Sequence, residues 1–174
     1  AVYLPRAAAA MLWVTGTNDF AYPLDSLQKS YRLPKGPRTL SIRIRMPHGH
    51  GGPGENPEEI RAMADHVLKG GPPPARITKT GRDGNRAWAT YTCPGNIESA
   101  RLCWTTDTGT WKKRKWQTRA AAVDPKARRV TADLPAGTRV WYFNLVDDRG
   151  LLVSTEHAVV EAPAGITRPA GHGP

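Results

Sequence analysis

A chain of 174 residues, 39% of them hydrophobic, has room for one ordinary globular domain or two small ones. No apolar run approaches the ~18–20 residues that cross a bilayer, so no helical membrane span is expected. The net charge of +10 is uneven: residues 1–75 hold 9 basic and 6 acidic groups, residues 76–174 hold 16 and 9. That balance admits an anionic partner, but no nucleic-acid-binding signature accompanies it and nucleic acid is not expected.

Met11-Leu12-Trp13-Val14-Thr15 is a continuous apolar run of the kind buried on both faces of a parallel sheet. It ends in Gly16-Thr17-Asn18-Asp19. Asp25, with Gln28 three residues on, is a helix start in which Asp25 caps, and Leu24, Leu27 and Tyr31 share one face. Pro34-Lys35-Gly36-Pro37 closes that helix. Leu40, Ile42, Ile44 and Met46 then alternate with Ser41, Arg43 and Arg45, which predicts a strand near a sheet edge. The loop Met46-Pro47-His48-Gly49-His50 follows. A second helix is punctuated by Asn56 as cap, Pro57 in the first position and Glu58 and Glu59 at the positive end. Ile60, Met63, Ala64, Val67 and Leu68 form its apolar stripe. Gly70-Gly71 stops it, and Pro72-Pro73-Pro74 is a stiff boundary.

Beyond residue 76 the period becomes strand-like. Arg86–Cys93, Ser99–Thr106, Lys115–Ala121, Arg129–Leu134, Arg139–Asp147 and Leu152–Glu161 alternate with turn residues, a pattern that predicts an antiparallel sandwich of immunoglobulin or fibronectin type. Lys112-Lys113-Arg114-Lys115 reads as a solvated hairpin edge. Cys93 and Cys103 fit no zinc spacing; they are either one disulfide or two small buried thiols. The expected organisation is thus α/β over 1–75, an all-β immunoglobulin-like sandwich over 76–162, and a disordered Gly/Pro-rich tail over 163–174.

The chemistry concentrates in the first part. Parallel strands joined by a helix carry their following loops to one rim. Asp19 follows the first strand, and His48 and His50 follow the second, so an acid and an imidazole about thirty positions apart can meet there. The order acid, then histidine, is that of the last two members of a hydrolase triad. Taken singly, Asp19 is also an ordinary turn residue, Asp25 is a rival acid that capping accounts for, and both histidines suit an exposed Gly-rich loop. A metal reading of His48, His50 and an acid lacks a third nitrogen or sulfur ligand, and no metal or cofactor is expected. His66 and His172 are expected to face solvent, and His157 to be structural.

The run Trp13 to Ser26 and the loop Met46 to Gly51 resemble the C-terminal half of bacterial α/β-hydrolases of the acetyl xylan esterase and dienelactone hydrolase-like kind, and the PhoPQ-activated pathogenicity-related proteins. In the second group the hydrolase is followed by a small β-sandwich, whose start Leu102-Cys103-Trp104 through Trp116 resembles. The resemblance implies Asp19 as the triad acid and His50 as the base, with His48 as the alternative. It implies a carboxylic-ester hydrolase acting on a small ester or acylated carbohydrate, with an exported parent; a prolyl-oligopeptidase-like peptidase shares the arrangement. The serines at 26, 30, 41, 99 and 154 include none in a G-x-S-x-G turn. The expectation is therefore a fragment lacking its nucleophile and the N-terminal half of its hydrolase domain, inactive alone. The alternative is a non-catalytic sandwich module that binds a polysaccharide or cell-surface partner through exposed tryptophans.

Overall fold

In the computed structural model, which describes residues 2–49 and 54–160, the first apolar run forms β1 (Met11–Asn18) and the alternating run forms β2 (Arg38–Pro47). They run parallel, with Met11 opposite Arg38 and Thr15 opposite Ile42. Parallel neighbours need a crossover, and α1 (Leu24–Tyr31) supplies it. Pro23 stands at the cap of α1, so Asp25 is not the cap; it lies in the first turn, where its charge complements the helix end. At α2 (Glu58–Lys69) the cap moves one residue the other way, to Pro57 in place of Asn56. Gly70 ends α2 in the left-handed region, at φ 69°, where a side chain would be strained.

The stripe of α2 is not buried as its periodicity predicts. Ile60, Val67 and Leu68 stay 42%, 54% and 79% exposed over a shallow groove against Leu12 and Val14. The buried residue of the helix is Glu59, whose carboxylate accepts from Arg43 at 2.7 Å and from the Leu152 backbone N–H at 2.8 Å. A charge can sit there only because it is paired on both oxygens.

The remaining strands are β3 (Arg76–Asp83), β4 (Arg86–Thr92), β5 (Ile97–Thr105), β6 (Gln117–Ala120), β7 (Ala122–Asp124), β8 (Arg129–Asp133), β9 (Val140–Asp147), β10 (Leu152–Ser154) and β11 (Ala158–Val159). They form two antiparallel sheets, β3-β4-β8-β7 and β10-β9-β5-β6, with β11 also on β9. Strand β3 lies outside the strands expected from the sequence; it pairs with β4 through a hairpin whose Gly84 takes φ 58°. The strand expected over 115–121 changes sheets after Ala120, and the one expected over 152–161 is interrupted at Thr155-Glu156-His157. The tail over 163–174 lies outside the described residues.

Strands β5 and β9 are covered on both faces. Leu102, Trp104, Trp141, Phe143 and Leu145 join Ala87, Ala89 and Val130 between the two sheets. The alternate residues Cys103, Val140 and Tyr142 join Leu24, Tyr31, Leu40, Ile42 and Trp116 in a second core. Each large apolar side chain so enclosed contributes about 1.5–3 kcal/mol. The backbone of Ile42 is met there by side chains rather than by a strand: its N–H donates to Ser154 Oγ at 2.8 Å, and its carbonyl accepts from Asn144 Nδ2 at 3.1 Å. That satisfies groups which would otherwise be buried without partners.

This arrangement corrects the α/β expectation. The described residues are mostly β, 43% strand against 17% helical, and form mainly an antiparallel sandwich. Its parallel pair stays two-stranded among the described residues and packs on the back of the β5–β9 sheet. Two strands bury too little surface to make a layered parallel sheet of their own, and the sandwich provides the missing apolar face. The β-rich second part is compatible with an immunoglobulin-like fold. Among the described residues no helix is long and apolar enough to cross a membrane.

Cys93 and Cys103 are both free, and they belong to different cores. Burial raises both thiol pKa values, that of Cys103 to about 12. The basic segment expected at a hairpin edge is instead a 3-10 turn, Trp111–Lys113, followed by Arg114 stacked on the Trp111 ring at 3.9 Å.

Candidate active site

The site begins with a slip between β1 and β2. Gly16 lies opposite Arg43, yet Asn18 lies opposite Pro47, so β2 carries two more residues than β1 over this stretch. The surplus is taken up around Arg45, which adopts φ 57°, a conformation rare for a side chain of that size. Two bonds hold it: the Arg45 N–H donates to Thr17 Oγ1 at 2.7 Å, and Arg45 Nε donates to the Trp116 carbonyl at 3.0 Å. Strained backbone of this kind persists only where its surroundings over-determine it. Gly16 allows the close approach, because a Cβ there would sit 1.9 Å from the Met46 carbonyl oxygen.

The bulge sends the chain after Met46 across the end of β1, where Asp19 waits. Asp19 is 7% exposed. Its Oδ1 accepts from the backbone N–H groups of Ala21 and Tyr22, each at 2.8 Å, and its Oδ2 lies 3.1 Å from His48 Nδ1. The same carboxylate thus closes a turn and holds an imidazole. A neutral His48 that donates from Nδ1 leaves Nε2 as the acceptor. The ring is flanked by Phe20 and Tyr22, at centroid distances of 5.3 and 5.7 Å, and its side chain is 37% exposed. An oriented, accessible imidazole of this kind can take a proton from a hydroxyl and return it to a leaving group.

Sequence reasoning missed the supports of this pair. Asn18 Nδ2 donates to the carbonyls of Lys112 at 3.0 Å and Arg114 at 2.9 Å, tying the strand that carries Asp19 to the sandwich. Thr17, fully buried, donates to Asn18 Oδ1 at 2.8 Å while it accepts from Arg45. The available signal was the density of polar residues at the end of an apolar strand, which marks a polar network rather than a plain turn.

The other candidates fall elsewhere. His50 lies outside the described residues, as does His172. Asp25 is placed near His157 and Arg114, and its Oδ1 is buried without a hydrogen-bond partner. His157 is 5% exposed, packed edge-on against Trp111 at 5.1 Å, and its pKa is lowered to about 4 by burial, with Arg32 adding to the effect. His66, half-buried rather than solvent-facing, bonds the Gly71 carbonyl from Nδ1 at 2.8 Å. Among the described residues no three His, Cys, Asp or Glu side chains converge as a metal site would need.

No protein-family profile matches the chain, and no curated protein matches it. Among solved structures, it is similar to a carbohydrate acetylesterase from Xanthomonas citri, at 15% identity and a TM-score of 0.38. The match covers 82% of this chain and 38% of that protein, so the chain spans well under half of that structure's length.

Proposed function

We propose that this chain supplies the acid and the base of a serine-type hydrolase of carboxylic esters, with Asp19 as the acid and His48 as the base. The observation that carries the reading is the 3.1 Å contact of Asp19 Oδ2 with His48 Nδ1, made by a carboxylate whose other oxygen two backbone N–H groups hold in place. In such a site the acid orients the imidazole and stabilises it when charged. Nε2 takes the proton of an attacking hydroxyl, the acyl group transfers to that oxygen, and the proton passes to the departing alcohol. Water then repeats the sequence to release the acid.

The nucleophile is not among the serines of this chain that precede the pair in a G-x-S-x-G turn, since there are none, and it is assigned to a polypeptide outside these residues. Removing a nucleophile costs about six orders of magnitude in the severest serine-hydrolase cases, so the chain alone is expected to be inactive. The division at Pro72–Pro74 enters the proposal as well: residues 1–75 carry the pair, and residues 76–162 back it. The substrate is a small ester or an acylated carbohydrate, and the exposed Phe20 and Tyr22 offer an apolar wall beside the imidazole.

The test uses a longer protein that contains this chain and an upstream G-x-S-x-G segment. Hydrolysis of p-nitrophenyl acetate should fall about a thousandfold or more in Asp19→Asn and His48→Ala, with KM little changed. Full activity in His48→Ala and loss in His50→Ala would move the base to His50. The competing reading, a carbohydrate-binding sandwich, needs tryptophans exposed in a row; all six are buried or half-buried, which does not favour it.

A further inference from the structure

The two sheets of the sandwich leave one side open. There β3 is the outer strand of its sheet, and the β10–β11 run is the outer strand of the other. Between them lies a cleft of about 480 Å³, lined without a gap by residues 75–82 and 156–160. Successive side chains of a strand point to opposite faces, so a cleft touched by every residue of a run lies along the strand's edge. Apart from its ladder with β4, β3 makes no backbone hydrogen bond among the described residues.

The lining is strongly cationic. Arg32, Arg38, Arg76, Lys79 and Arg82 face a single carboxylate, Glu156, and Arg32 and Arg38 are already paired with it. Arg76, Lys79 and Arg82 are exposed, and among the described residues they form no ion pair. A register slip between Ile77 and Lys79 puts Arg76 and Lys79 on the same face of β3, opposite Thr92 and Thr90. The inward face carries Ile77 and Thr80, opposite the buried Tyr91 and Ala89. The aromatic residue of the cleft, Trp141, is 2% exposed and offers no ring on which a sugar could stack.

We propose that this cleft binds an acidic polypeptide segment in extended form, added as a further strand to the free edge of β3. Its backbone would pair with the unpaired N–H and C=O groups of β3, and alternate carboxylates would meet Arg76 and Lys79. Charges on an edge strand repel a like strand. Here they select one of opposite sign.

The probe is a fluorescein-labelled peptide of alternating glutamate and valine, titrated with the full chain by anisotropy. Three comparison probes are used: the same peptide methylated on the backbone nitrogens of one edge, an oligogalacturonate, and single-stranded oligothymidylate of equal charge. The peptide should bind, and Arg76→Glu combined with Lys79→Glu should weaken it by about tenfold or more, at an unchanged circular dichroism spectrum. Backbone methylation should weaken it to a similar degree. No binding of the peptide, equal binding of the methylated form, indifference to the charge reversal, or equal binding of the oligogalacturonate or DNA would each overturn the proposal.

Discussion

Replacing Gly16 with alanine probes the geometry on which the acid–histidine pair depends. The added Cβ would lie 1.9 Å from the Met46 carbonyl oxygen, 2.7 Å from its carbon and 2.9 Å from its Cβ. Even a close C···O contact is about 3.3 Å, so β2 would have to retreat by roughly 1.4 Å. No rotamer change relieves a clash with backbone. The retreat would strain the bulge, whose Arg45 is held by Thr17 Oγ1 at 2.7 Å and by the Trp116 carbonyl at 3.0 Å. Overpacking costs about 1–3 kcal/mol, and with backbone on the receiving side the upper end is expected. For a chain of this size that lowers Tm by about 6–12 °C. Because His48 lies two residues beyond Met46, its ring resonances should move as well. The assay is thermal unfolding by circular dichroism together with ¹H–¹⁵N correlation of the imidazole nitrogens. A Tm within about 1 °C of the parent and unmoved imidazole signals would refute the claim that the two strands touch at this glycine.

Burial holds the pKa of His157 at about 4, against 6.5 for the ordinary group. The unfolded chain therefore takes up this proton first as pH falls. The stability tied to neutral His157 is complete above about pH 6.5 and is lost progressively down to about pH 4. Urea unfolding at pH 7 and pH 5 should differ by about 2 kcal/mol from this group, and His157→Gln should remove that part of the slope. An unchanged slope in the variant would show that the histidine is not the titrating group. Iodoacetamide should leave Cys93 and Cys103 unmodified in the folded protein and alkylate both in guanidinium; a chain that resists alkylation when unfolded would carry a disulfide instead. Asn18→Ala removes the bonds to the Lys112 and Arg114 carbonyls. It should cost about 1–3 kcal/mol in urea unfolding and broaden the His48 signals, whereas a stable variant with sharp, unshifted signals would dismiss the tie as incidental.

The elements of the first part were legible from local pattern. An apolar run, a short helix and an alternating run are enough to expect β1, α1 and β2, and the position of Asp19 just past β1 follows from the end of that run. Which histidine meets it was not legible. The contact of His48 with Asp19 follows the bulge at Arg45, and an arginine at positive φ leaves no trace in composition or periodicity. Nor could the fold class be read correctly from helix–strand alternation, since that pattern says nothing of how many strands the sheet will hold. The edge strand β3 went unnoticed because Lys79 and Arg82 break its alternation, although Asp83-Gly84-Asn85 signals the turn that follows.

The order and type of most segments, the polar cluster at the end of β1 and the cationic excess beyond residue 76 are properties of the chain itself, because each rests on neighbours in sequence. The exposure of the α2 stripe, the double covering of β5 and β9, and the meeting of Asp19 with His48 were decided by tertiary structure. Burial and strand register come from surfaces that the chain brings together from distant positions, and those surfaces compete for the same apolar faces only once it has folded.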